Sequence, residues 1–153
     1  MKDIVIKMLK KRGVNLKDIA KLVYNLQSKY ITLTIDECLV SVNKVLEKRE
    51  VQHAILTGIV LDIYAENNNL PEPLLSILRR DEPLYGIDEI LALSITNVYG
   101  TIGLTSFGYL DEEKPGILKS LNDPKNGVHT FLDDLVAAIA AAASAKIAHS
   151  KVN

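Results

Sequence analysis

Four places in this sequence set acidic residues beside apolar ones. They read Ile35-Asp36-Glu37-Cys38-Leu39, Ile87-Asp88-Glu89-Ile90-Leu91, Leu132-Asp133-Asp134-Leu135-Val136 and, in a related form, Leu110-Asp111-Glu112-Glu113-Lys114. Two chemistries suit the pattern. Acids in the first turn of a helix complement its macrodipole, each contributing about 0.3–1 kcal/mol. Carboxylates brought together from separate segments instead hold a hard cation through oxygen. The Asp133-Asp134 pair tells the two apart, because consecutive helical residues point about 100° apart and cannot share one task. Thr130 and Asp133 have capping-box spacing, which accounts for Asp133. Asp134 then projects among Phe131, Leu135 and Val136, where an ionised carboxylate needs a basic side chain or a metal as partner. The same reasoning applies to Asp88 and Glu89, whereas capping suffices for Asp36 and Glu37. On pattern alone both chemistries stay open.

Lys114 is the basic residue that matters most. It lies three positions after Asp111, so the two share a helix face, either as a surface ion pair worth little or as a phosphate contact beside a carboxylate-held cation. Other chemistries fall away. Cys38 is followed by Leu-Val-Ser-Val-Asn-Lys, not a phosphate cradle, and reads as a buried small hydrophobe. Gly100-Thr101-Ile102-Gly103 lacks the lysine and spacing of a phosphate-binding loop. His53, His129 and His149 have no zinc-type spacing, and His129 reads as a surface-loop histidine.

The elements that must position these residues are helical. Apolar residues recur at helical spacing from residue 4 onward, with Gly13 closing a first helix, Asn15 capping a second and Thr34-Ile35-Asp36-Glu37 opening a third. A fourth spans about residues 51–67 with Ala54, Ile55, Gly58 and Ile59 inward, and Pro71 starts a fifth. A sixth covers residues 87–98, a seventh runs from near Leu104 to Lys114 before Pro115-Gly116, and a short turn occupies residues 117–121. "NDPKNG" (residues 122–127) is a loop, and the alanine-rich segment after it is the last helix. Its small side chains predict a central member closely surrounded by others. The fold is therefore expected to be all-α, one domain over residues 1–153, a bundle of about six to eight helices around that alanine-rich helix.

Composition narrows the function classes. With 18 basic and 19 acidic residues the net charge is −1, which gives no pull toward nucleic acid or an anionic membrane. The apolar run at residues 135–145 is too short for the roughly 20 residues that cross a bilayer. MKDIVIKMLKKRG has a charge inside its apolar run, and no signal peptide is expected. Cys38 has no internal disulfide partner, so a reducing cytosol is the expected compartment.

"GIDEILAL" (residues 86–93), "YLDEEKPGI" (109–117) and "GVHTFLDDLVAA" (127–138) resemble, in order and spacing, blocks of the phosphatidylglycerophosphatase A family. The chain looks most like its short, soluble YutG-like branch, helical bundles around a central helix. The resemblance covers roughly residues 86–145. It implies that Asp88, Glu89, Asp133 and Asp134 hold Mg²⁺, and that Asp134, Asp111 and Lys114 carry the catalysis. Pro115 completes the matched Asp-x-x-Lys-Pro. The implied reaction is Mg²⁺-dependent conversion of phosphatidylglycerophosphate to phosphatidylglycerol and phosphate. A phosphomonoester substrate, a lipid by family, peripheral membrane contact from the cytoplasm and a homo-oligomer complete the expectation. The alternative is a non-catalytic helical binding protein that retains a vestigial acidic metal site. A helical nucleotide pyrophosphatase ranks last, since no Glu-Glu-x-x-Glu helix is present.

Overall fold

Local signals decide where the first helices begin. After α1 (Lys2–Lys11), Gly13 takes φ +88° and turns the chain. The Asn15 amide donates to the Asp18 carboxylate at 3.0 Å and opens α2 (Leu16–Gln27). The Thr34 hydroxyl accepts the Glu37 amide at 3.1 Å and opens α3 (Ile35–Val45). Next come α4 (Arg49–Glu66), α5 (Leu74–Arg79), α6 (Ile87–Thr96), α7 (Thr101–Glu113), α8 (Ile117–Leu121) and α9 (Leu132–Lys151). This computed structural model describes residues 1–151, and among them there is no strand. The all-α expectation holds.

Three helix boundaries differ clearly from those expected from the sequence. Pro71 does not start the fifth helix, which begins at Leu74 after Pro73. A residue before proline is disfavoured in helical geometry, so Glu72 stays outside, and its carboxylate caps the helix by accepting from Ser76 N (3.1 Å) and Oγ (2.8 Å). α6 ends at Thr96, the chain tightens into a 3₁₀ turn at Asn97–Tyr99, and α7 begins at Thr101 instead of near Leu104. Gly100, at φ +87°, makes that reversal.

The alanine-rich helix is the axis of the molecule. Every side chain of α9 from residue 132 to 145 is buried, and α2, α3, α4, α6, α7 and α8 all pack on it. Alanine at half of these positions lets that many neighbours approach one helix. α4 approaches the start of α9 closely at Gly58. A Cβ there would run into Leu135 Cδ1 and stand 3.0 Å from Phe131 Cβ, so only glycine fits without movement. Overpacking costs about 1–3 kcal/mol and alanine regains up to about 1 kcal/mol of helix propensity. Gly58→Ala is therefore expected to lower stability by about 1–2 kcal/mol, read as a fall of several degrees in Tm.

Candidate active site

Three helix ends meet at one place. Asp88 and Glu89 lie in the first turn of α6, Asp111 near the end of α7, and Asp133 and Asp134 in the first turn of α9. All five line one pocket of about 250 Å³, together with Lys114 and Asp81. Every residue the resemblance assigned to catalysis or metal is thus brought together.

Lys114 sits at the centre of the contacts. Its Nζ donates to Asp111 Oδ1 and to Asp133 Oδ2, both at 3.2 Å. It does not lie on the helical face of α7. It is the C-cap residue, in the left-handed region at φ +45°, with Pro115 barring continuation of the helix. The i,i+3 pair with Asp111 is present, and the same ammonium extends it into a bridge from α7 to a buried carboxylate of α9.

The electrostatics are lopsided. Asp133 and Asp134 are only 5% and 4% exposed, and the Asp134 amide donates to Asp133 Oδ1 at 2.8 Å. Burial pushes Asp133 up to about 6, restrained by the charge and hydrogen bond of Lys114. Asp134 is pushed up to about 10, first by burial, then by the Asp133 charge, a hydrogen bond with Asp111 and the charges of Asp111 and Asp88. Burial alone would lower Lys114, but the charges of Asp133 and Asp111 outweigh it and its pKa is raised. Asp81 is also raised, by burial and then by Asp88. One lysine thus faces six carboxylates, while Glu82, which also lines the pocket, pairs with Arg80. A second positive charge is what this pocket lacks.

The donor set fits a hard cation in kind: oxygen ligands only, with no histidine or cysteine on the pocket wall. The acids are not drawn into a closed cage. Among the described residues no group of three or more acidic, histidine or cysteine side chains is gathered as an ion would require. Lys114 holds two of the carboxylates to itself.

Two readings near the site are corrected. His129 is not a surface-loop residue: it is 7% exposed, with Nδ1 3.1 Å from the Leu121 carbonyl, and burial followed by the nearby Arg12 charge lowers its pKa. Thr130 and Asp133 form no capping box. The Thr130 hydroxyl donates to the Leu78 carbonyl at 2.6 Å, and Asp133 is engaged with Lys114. The start of α9 is instead capped by Asp62 of α4, whose Oδ1 and Oδ2 accept the Phe131 and Leu132 amides at 3.0 and 2.9 Å.

Asp81 and Asp62 escaped the sequence reading. Asp81, in the left-handed region at φ +49°, lies in the turn after α5, where nothing in "RRDEPLYG" shows that it faces other acids. Asp62 left a signal. It continues the inward stripe of Ile55, Gly58 and Ile59 at helical spacing, so a carboxylate stands where an apolar residue belongs.

Comparison with known proteins extends this picture beyond the acidic half. The family model for phosphatidylglycerophosphatase A matches residues 5–149. The Bacillus subtilis protein YutG is 62% identical over 143 residues, covering 92% of this chain and 86% of its own. YpjQ of the same organism is 59% identical over 151 residues, covering 98% and 85%. The crystal structure of the low temperature requirement C protein from Listeria monocytogenes superposes with a TM-score of 0.97 at 55% identity, over 99% of this chain and 97% of that one.

Proposed function

The chain belongs to the phosphatidylglycerophosphatase A family, and from that premise we propose that it is a Mg²⁺-dependent phosphomonoesterase acting on a lipid phosphate, phosphatidylglycerophosphate by family. The observation that carries the reading is the meeting of six carboxylates and one lysine in a single pocket, with too little positive charge to satisfy them. Asp88, Glu89, Asp133 and Asp134 would hold the ion. Bound there, Mg²⁺ supplies charge neutralisation at the phosphoryl oxygens and acidifies a water. Lys114 gives the phosphate a second cationic contact, and Asp111 keeps its ammonium aimed into the pocket. Asp134, buried beside Asp133 and Asp111, would take its ionised form only with the cation bound. Attack by water at phosphorus breaks the P–O ester bond and leaves the alcohol.

A groove of about 940 Å³ supports the lipid part. Its walls include Leu22, Leu26, Ile31, Ile102 and Tyr109, and its size suits a large apolar ligand. Tyr109 and Leu110 line the groove while Asp111 and Lys114 line the acid pocket, so the end of α7 belongs to both. Among the described residues no helix is long and apolar enough to cross a membrane. Peripheral membrane contact and a homo-oligomer belong to the same proposal, supported by exposed Ile90 and Ile102 on α6 and α7.

The test is phosphate release from a panel of lipid and soluble phosphomonoesters, with Mg²⁺ or EDTA. Release with Mg²⁺ alone, fastest from the lipid, is expected. The spread of the acids favours one rival, a non-catalytic helical protein with a vestigial acid pocket. No release from the panel and no divalent cation bound at millimolar concentration would decide for that rival.

A further inference from the structure

The segment that leads into α9 is gripped from outside itself. Asp62 takes the Phe131 and Leu132 amides, one on each carboxylate oxygen. One turn along the same face of α4, Glu66 Oε1 accepts the Val128 amide at 3.0 Å. Arg12, doubly paired with Glu66 at 3.0 and 3.2 Å, donates to the Val128 carbonyl at 2.7 Å. His129 and Thr130 are tied to the carbonyls of Leu121 and Leu78. Each residue from 128 to 132 is therefore bonded to another part of the molecule. The next two residues are Asp133 and Asp134.

This arrangement is more elaborate than capping requires. Thr130 stands where its own hydroxyl would serve a helix start, yet that hydroxyl goes to α5. The cap comes from a fully buried carboxylate on an apolar helix face, a placement that costs free energy unless both oxygens are bonded. A local cap fixes only the first turn against its own loop. A bidentate cap from α4 also fixes the rotation and height of α9 against the rest of the bundle.

We infer that Asp62 is a positioning residue for the acid pocket: its two-handed grip on the Phe131 and Leu132 amides sets the orientation in which Asp133 and Asp134 meet Lys114, Asp111 and a bound cation. Asp62 does not line the pocket and acts only through the α9 backbone. The inference rests on the phosphatase reading, because that reading supplies the cation and the reaction.

Asp62→Asn retains the shape and one acceptor oxygen and loses the other. The control is Val45→Ala, a buried truncation on α3, which contributes nothing to the pocket wall. Both variants are compared with the wild type below their melting temperatures, by Mn²⁺ titration and by phosphate-release kinetics. Asp62→Asn is expected to raise the Mn²⁺ Kd and lower kcat about tenfold or more, as removal of orienting partners does, with KM within about twofold. Val45→Ala is expected to keep wild-type Kd and kcat despite its lower Tm. An Asp62→Asn protein that behaves like the control overturns the inference and leaves the phosphatase reading intact. A wild type that neither binds Mn²⁺ nor releases phosphate sinks that reading and this inference with it. Should Asp62→Asn not fold, Glu66→Gln at the exposed end of the same clamp takes its place: a several-fold rise in Kd supports the inference and no change overturns it.

Discussion

Asp134→Asn is expected to abolish Mg²⁺-dependent phosphate release, a loss of about a hundredfold or more in kcat, while raising the Tm of the metal-free protein. The two effects share one cause. Asp134 is buried beside Asp133, Asp111 and Asp88, and among the described residues no basic side chain bonds to it. Its ionised form is useful only when a cation arrives. Without one, the folded protein either carries an uncompensated buried charge or takes up a proton at neutral pH. With the carboxyl pushed from 3.8 to about 10, the cost at pH 7 is bounded by the gap from 3.8 to 7, or about 4 kcal/mol at about 1.4 kcal/mol per pH unit. Asparagine has nearly the shape of the protonated acid and requires no proton, so the metal-free fold gains part of that amount, a few degrees in Tm. Circular dichroism should show an unchanged helical fold. Removing a ligand is expected to cost at least the upper end of the 10- to 100-fold seen on removing an orienting partner. Turnover at the wild-type rate would place the chemistry elsewhere, and a lower metal-free Tm would mean that the Asp134 charge is already satisfied.

The pattern of what was legible in the sequence follows the range of the interactions. Caps at Asn15 and Thr34 involve residues three apart, so their side chains alone announce helix starts. The alanine run of α9 announces a crowded axis because few other compositions allow several helices to approach one. The resemblance read Asp88, Glu89, Asp111, Lys114, Asp133 and Asp134 as one site, and they do line one pocket. What stayed hidden depends on partners far along the chain. Thr130 looked like a cap because its local spacing is right, but the Leu78 carbonyl, 52 positions away, takes the hydroxyl. His129 looked like a loop residue because the groups that act on its ring, the Leu121 carbonyl and the Arg12 and Glu66 charges, come from other elements. Asp62 competes for the same helix end from α4 and wins, since a carboxylate with two free oxygens accepts two amides where a hydroxyl accepts one. The N-terminal 80 residues lay outside the resemblance, which gave them no role. They supply Asp62, Glu66 and Arg12, which hold the segment leading into α9 in place.

Those buried acids also set how stability should respond to pH, with a sign opposite to that of ordinary ion-paired carboxylates. Asp62, Asp133 and Asp134 all titrate above 3.8 when folded, at about 8, 6 and 10, with burial the largest cause in each. A group raised in the folded state contributes stability that is full below its unfolded value and is lost as pH rises through its folded value. The three together therefore favour the fold near pH 4 and withdraw that support progressively up to about pH 10. Glu66 works the other way. The hydrogen bond from Arg12 lowers it from 4.5, so its contribution is present above 4.5 and lost as pH falls below that. Maximum stability of the metal-free protein is therefore expected at about pH 4 to 4.5, with Tm falling from there to pH 9. Each proton released over that span is worth about 1.4 kcal/mol per pH unit, or roughly 3–6 °C per unit for a chain of this size. Mg²⁺ binds the ionised acids and not the protonated ones, so the stabilisation it provides should grow with pH and flatten the decline. Calorimetry from pH 5 to 9, with EDTA and with millimolar Mg²⁺, reads both effects. A metal-free Tm that climbs through that range would show that these carboxylates are already compensated within the bundle, leaving no charge deficit for a cation to fill.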